Sequence, residues 1–312
     1  MKHCISIVTV TALMFPLAMA APALAIDWDG EGGDGLWNTP ANWVGDRVPD
    51  NDSTTIKNGD SVVVARNAPG TGRFVINGGS TLTIEANIFL GGGADTYIGG
   101  DDETTATTAG TVIQTGGIVT NNDDVNMDDG GVAEYHMDGG TFSCPGYFDL
   151  GLATSLLEIS GGSFTVGADV RWGAGTIRVQ GYEYGPSGSE VANAILFDRV
   201  QANTGTLDME LRNGTTGLGI ATINVTGAIN LPTTLNVTLE PGAALPAIGT
   251  SYDLISAGSL IGTIGIENLP ANWELSYPTG NQIVQLTYVP EPATVSLLAI
   301  GGLTLIRRRK RA

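Results

Sequence analysis

At 312 residues, with 45 glycines and a formal charge of −18, the chain is long enough to bury most of its apolar surface in one to three domains. Residues 26–289 hold 8 basic against 31 acidic side chains, a net of −23; such a surface repels nucleic acid and anionic lipid, which excludes nucleic-acid binding and favours divalent cations or polycationic surfaces as partners. The two cysteines, Cys4 and Cys144, provide no disulfide framework, and outside the two ends no stretch carries a helical apolar stripe, so the expected fold class is all-β with many corners.

Residues 1–25 read as a secretory signal peptide: Lys2, an apolar run over residues 5–20, then Ala23-Leu24-Ala25 as a small-x-small cleavage site. Cys4 lies at the wrong end for a lipoprotein anchor, and the expected destination is outside the cytoplasm. Residues 26–65 are dense in tryptophan and glycine, with Trp28, Trp37 and Trp43 ahead of Pro49-Asp50. Three tryptophans this close suit a sugar-stacking platform or an N-terminal cap that plugs the open end of a strand stack against edge-to-edge association. The cap is the reading adopted. The W-x-G…W…NW…P pattern also resembles the entry module of many secreted bacterial β-solenoid proteins.

Residues 66–205 repeat. Gly-Gly pairs stand at Gly78-Gly79, Gly116-Gly117, Gly139-Gly140 and Gly161-Gly162, the last three spaced 23 and 22 residues apart. Tyr135/Met137 and Leu157/Ile159 precede their glycines at equal distances; Phe142/Cys144 and Phe164/Val166 follow, then Phe148/Leu150 and Val170/Trp172. Three period-2 segments per unit with glycine at the corners predict a parallel β-helix, a solenoid whose units bury their inward residues only by stacking. The first unit fits with one residue inserted, placing Phe74/Ile76 before Gly78 and Leu82/Ile84 and Ile88/Leu90 after Gly79. The stretch between Gly91 and Val112, with Asp95, Asp101, Asp102 and Glu103, then becomes a polar surface insertion. This register puts Cys144 inward as a small buried hydrophobe. It also sets Glu158 beside Arg178, and Asp149 beside Arg171, on adjacent coils.

Residues 206–289 alternate strictly in segments such as Thr206-Leu207-Asp208-Met209-Glu210-Leu211 and Thr234-Leu235-Asn236-Val237-Thr238-Leu239, half-buried strands that form a C-terminal β module. The pattern suits both a continuation of the stack and a separate β-sandwich, and the order A-x-I-N-V-T-G-A-I-N-L from Ala221, T-L-N-V-T-L from Thr234 and Y-D-L-I-S-A-G-S-L-I-G from Tyr252 resembles the closing module of planctomycete-type secreted solenoid proteins. Residues 290–312 carry Pro290-Glu291-Pro292, an apolar run over residues 293–306, and Arg307-Arg308-Arg309-Lys310-Arg311. This tail resembles the PEP-CTERM sorting signal: Pro-Glu-Pro, an apolar helix and an Arg-rich end. The run is short beside the ~20 residues of a full span, and its basic end would stay cytoplasmic. The resemblance implies recognition by an exosortase and a cargo associated with the cell surface or exopolysaccharide, with membrane contact only through the tail before processing.

Chemistry-bearing residues are sparse. Asp123, Asp124, Asn126 and Asp128 resemble part of a calcium loop, but Asp129 stands where glycine is needed and Tyr135 where glutamate is needed. Calcium at Asp123, Asp124 and Asp128 is the one cofactor considered; none is required. His136 reads as an outward surface residue without a partner. No nucleophile motif, phosphate loop or metal spacing occurs, and an enzyme is not expected. Thr83, Thr120, Ser143 and Thr165 occupy equivalent outward positions in this register and predict a flat hydroxyl-rich face. It suits a glycan or ordered water, though threonine also simply favours exposed strands. The resulting reading is a structural or adhesive protein of the cell surface or exopolysaccharide. The alternatives are a carbohydrate-binding or polysaccharide-cleaving β-helix and, more remotely, an ice-binding face.

Overall fold

The computed structural model describes residues 25–100, 108–127, 130–181, 183–184, 190–191, 194–201, 204–214, 217–278, 280 and 282–290. The expected leader, the acidic stretch 101–103, Asp128 and the sorting tail beyond Pro290 lie outside these residues.

The chain is all-β, built on long parallel sheets in which each coil pairs with the next. Among the described residues the one helical piece is a 3-10 turn at Pro40–Asn42. A coil has three faces. The first is formed by strands such as Ala109–Gln114, Val132–Met137 and Ser155–Ile159, the second by Ile118–Asn121 and Thr141–Cys144, and the third by Val125–Asn126 and Phe148–Leu150. From Ser163–Trp172 onward the second and third faces merge into one long strand per coil, with a register shift where the corner had been, between Val166 and Asp169. The same shift recurs between Phe197 and Val200 and between Val225 and Ala228.

The alternating pattern puts one side chain in two inside, and those inward residues form one continuous core. Phe142 and Phe164 stack at 4.4 Å between ring centroids on successive coils. Phe148 and Phe197 meet Phe164 edge-on at 5.3 and 6.3 Å. Cys144 is buried on the inward row, and burial pushes its thiol up to about 11. Gln114 also points inward, where its amide donates to Thr141 O at 3.0 Å and its carbonyl accepts from the buried Tyr135 hydroxyl at 2.7 Å. A side chain can be polar here because both ends find partners.

The Gly-Gly corners have a steric cause. Gly140 and Gly162 sit at φ +82° and +86°, and a Cβ on either would lie 2.4 Å from the carbonyl oxygen of Gly117 or Gly140 one coil below. Only glycine allows both the left-handed backbone and the close stacking.

The expected ion pairs are present. Glu158 pairs in register with Arg178, and Asp149 with Arg171, at 3.8 and 3.2 Å between charged atoms. The first coil differs from expectation. Ser80–Ile84 belongs to the first face, paired with Ala109–Gln114; Ile88–Leu90 belongs to the second. The supposed insertion contains a third-face strand, Thr96–Ile98, between Thr71–Ile76 and Val125–Asn126. The Gly78-Gly79 pair turns the corner from third to first face, whereas the later pairs turn from first to second. A glycine pair marks a tight corner without saying which one.

Parallel pairing runs unbroken past residue 206. Thr206–Gly214 joins Thr176–Gln180, Thr234–Leu239 joins it in turn, and Ile266–Asn268 follows. The stack ends where Ile283–Tyr288 pairs antiparallel with Ser251–Ile261 and with Trp273–Ser276. At the other end Trp28 and Trp37 each pack edge-on to Trp43 at 4.9 and 4.7 Å, and Trp37 reaches Phe74 at 6.1 Å. All three indoles are buried, so no sugar-stacking platform forms there.

Candidate functional site

The second face carries two outward rows in register. One outward row reads Phe89, Thr120, Ser143, Thr165, Leu196, Asn224, Ser256 in register from coil to coil. Its neighbour reads Ile118, Thr141, Ser163, Ala194. Three coils therefore place five hydroxyls side by side: Thr120, Thr141, Ser143, Ser163 and Thr165. None of them bonds through its hydroxyl to another described residue. Apolar side chains bracket the patch, with Ile118 49% and Leu196 44% exposed. Neither row contains a charged side chain, although the chain is strongly acidic.

Thr83 is not part of this array. It lies on the first face, opposite Val63 and Ile113, because Ser80–Ile84 precedes its coil's second-face strand. Thr120, Ser143 and Thr165 do share one row. The sequence register missed Phe89 as their continuation and assigned it to the third face.

The acidic corner lies just after Ile118–Asn121. There Asp123 and Asp124 meet Asp95, one carboxylate oxygen from each within 4.8 Å of the others. Asp95 was hidden in the supposed insertion; its signal was the short alternation of Thr96-Tyr97-Ile98 beside it. Burial, together with the neighbouring Asp95 and Asp123, raises the Asp124 carboxyl above its usual range. Asp124 Oδ1 accepts the Tyr147 N–H at 2.7 Å, and Asp95 Oδ2 accepts from Tyr97 Oη at 3.0 Å and Asn126 Nδ2 at 3.2 Å. Oxygen ligands of this kind suit a hard divalent cation, but hydrogen bonds from the fold already engage two of the three. Asp128, the third residue of the expected set, lies outside the described residues.

The first face carries a different row. His136 Nδ1 lies 2.8 Å from Glu158 Oε2, and its Nε2 lies 3.2 Å from Glu134 Oε2. His136 is thus half-buried between two carboxylates, where the sequence suggested a surface residue without a partner. Arg178 lies between Glu158 and Asp208, the latter at 3.5 Å. Asn236 Nδ2 donates to Asp208 Oδ1, and Asn268 Nδ2 to Asn236 Oδ1, each at 2.6 Å. The row is a chain of side chains that satisfy one another across coils.

No protein-family model matches the chain, and no curated protein is significantly similar to it.

Proposed function

We propose that this is an exported, non-enzymatic scaffold of the cell surface or its polysaccharide matrix. Its signal peptide carries it out of the cytoplasm, and its PEP-CTERM-like tail, Pro290-Glu291-Pro292 with Arg307, Arg308 and Arg309, presents it to an exosortase. Residues 26–65 act as the N-terminal cap, and the antiparallel pairing near residue 288 closes the other end. Both ends are then guarded against stray strand addition. The second face holds an extended polymer.

The observation behind this reading is the double row of hydroxyls that no described group uses. Strands repeat every ~4.8 Å, so the face offers the same donor and acceptor at regular intervals. Individually weak contacts gain through multivalency along a repetitive partner. The acidic corner gives no support to a cleaving enzyme. Arg171, the cation nearest in effect to Asp124, is paired with Asp149 and stacked 3.7 Å from the Tyr147 ring centroid.

Cell fractionation tests both halves. Thr120→Glu combined with Thr165→Glu should release the protein from the matrix without unfolding it, and replacing Pro290, Glu291 and Pro292 by alanine should leave it exported but membrane-bound. Retention equal to that of the parent would defeat the surface reading, and release equal to the parent's would defeat the sorting reading.

A further inference from the structure

The hydroxyl rows do not stop at Thr120 and Ile118. Toward the N-terminal end they run into a groove of about 290 Å3 lined by Asn67, Asn87, Phe89, Ile118 and Thr120. Two asparagines stand one above the other at its margin. Asn67 Oδ1 accepts the Asn87 backbone N–H at 3.2 Å, and Asn87 Oδ1 accepts the Ile118 backbone N–H at 2.9 Å. These bonds fix which end of each carboxamide faces the chain, and so which end faces away. Each Nδ2 is left with two N–H donors that meet no described residue. Across the groove the Phe89 ring packs so closely over Gly70 that a Cβ there would come within 2.8 Å of it; over Gly92 the distance would be 3.2 Å. Glycine beneath the ring therefore lets it lie down on the corner.

Two oriented amide donors, an aromatic side chain and an exposed isoleucine make a cleft near the lower end of the ~300–1,000 Å3 that small ligands occupy. Apolar walls with a few fixed polar groups are how such clefts select an orientation. We infer that this groove is the subsite that grips one sugar ring of a neutral polysaccharide strand, whose continuation lies along Thr120, Thr141, Ser143, Ser163 and Thr165. The inference rests on the reading of the second face as the polymer-holding surface, and adds to it a partner class and a fixed point.

The charge distribution argues for neutrality. No residue of the two outward rows is charged, and the net −23 of residues 26–289 repels polyanions at longer range. A polycation would find its counter-charges at the Asp95, Asp123 and Asp124 corner instead. In a neutral chain, ring hydroxyls accept from the amides while the C–H face of the ring lies against Phe89, the amphipathic match that aromatic side chains provide.

The test compares variants of the purified chain by retention on cellulose, starch, alginate and chitosan. Asn67→Asp with Asn87→Asp keeps the oxygens that cap the two backbone N–H groups and replaces the outward donors by anionic acceptors. Phe89→Ala removes the ring. Folding is checked by circular dichroism and melting temperature. The parent should be retained on at least one neutral polymer, and each variant should bind it about tenfold more weakly, the equivalent of one or two lost hydrogen bonds. If Thr120→Glu with Thr165→Glu abolishes retention while the asparagine and phenylalanine variants bind like the parent, the subsite is wrong and the face reading survives. Retention of the parent only on alginate or only on chitosan overturns the neutral-polymer inference. Retention on none of the four overturns both.

Discussion

The first and second faces of the same stack use their hydrogen-bonding capacity in opposite ways. On the first face His136, Glu158, Arg178, Asp208, Asn236 and Asn268 occupy one outward row, and each meets a row neighbour one coil away. On the second face Thr120, Ser143 and Thr165 form one outward row whose hydroxyls reach no described residue. The difference is side-chain length. Rungs are ~4.8 Å apart, whereas a hydrogen bond needs about 3 Å between heavy atoms. In the first-face row glutamate, arginine and asparagine bend across that gap; in the second-face row the hydroxyls of Thr120, Ser143 and Thr165, one bond from Cβ and facing only one another, do not. A row of long polar residues therefore satisfies itself, and a row of short ones stays open to a partner.

Both faces rest on one core, so the largest expected effect is common to them. Phe164→Ala removes a fully buried ring that contacts Phe142, Phe148 and Phe197. It should cost about 3–5 kcal/mol in denaturant unfolding and weaken matrix retention with it. A cost below about 1 kcal/mol would mean that the coils do not share this core.

The next contrast separates the faces. Arg178→Gln breaks contacts to Glu158 and Asp208. The arginine is partly exposed, so the loss should be at most about 1 kcal/mol and should shrink with added salt. Thr120→Val with Thr165→Val removes two hydroxyls that no described group uses and should stay within about 0.5 kcal/mol of the parent. If the threonine pair cost more than the arginine, the hydroxyls would be serving the fold, and the distinction between the two rows would fail.

Much of this stack is legible in the sequence where each coil has the same length. From Gly116 to Trp172 the glycine spacing and the alternation agree, and the pairings Glu158 with Arg178 and Asp149 with Arg171 follow directly. The first coil misleads because Thr96–Ile98 is only three residues long and shows one aliphatic residue, Ile98, on the inward row. So short an alternation reads as part of a loop, and the register moves by one face. That single slip put Thr83 on the wrong sheet and hid both Asp95 and the groove at Phe89. His136 misled for another reason. Its partners Glu134 and Glu158 are two residues and one coil away, and only the register shows that they converge. Asn67 and Asn87 carried no signal, since their role lies in which backbone N–H each carboxamide accepts.

The smallest effect concerns the corner that separates the uncharged second face from the charged third. The Asp124 carboxyl is raised mainly by burial, with Asp95 and Asp123 adding repulsion, so the folded chain holds this proton more tightly than the unfolded chain does. Stability from this group is complete below the unfolded value, near ~3.9. It is lost as pH rises through the higher folded value, because the native state must then bear a poorly solvated charge. Asp124→Asn removes that charge and keeps an Oδ1 to accept the Tyr147 N–H. The variant should be more stable than the parent at pH 7 by no more than about 0.5 kcal/mol. The gain should fade by pH 4, as thermal melts at the two pH values would show. A variant less stable at pH 7 would mean that the carboxylate charge is itself used by the fold, with Arg171 the partner to test next. The corner would then belong to the self-satisfied rows, and the open chemistry of the molecule would be confined to the second face.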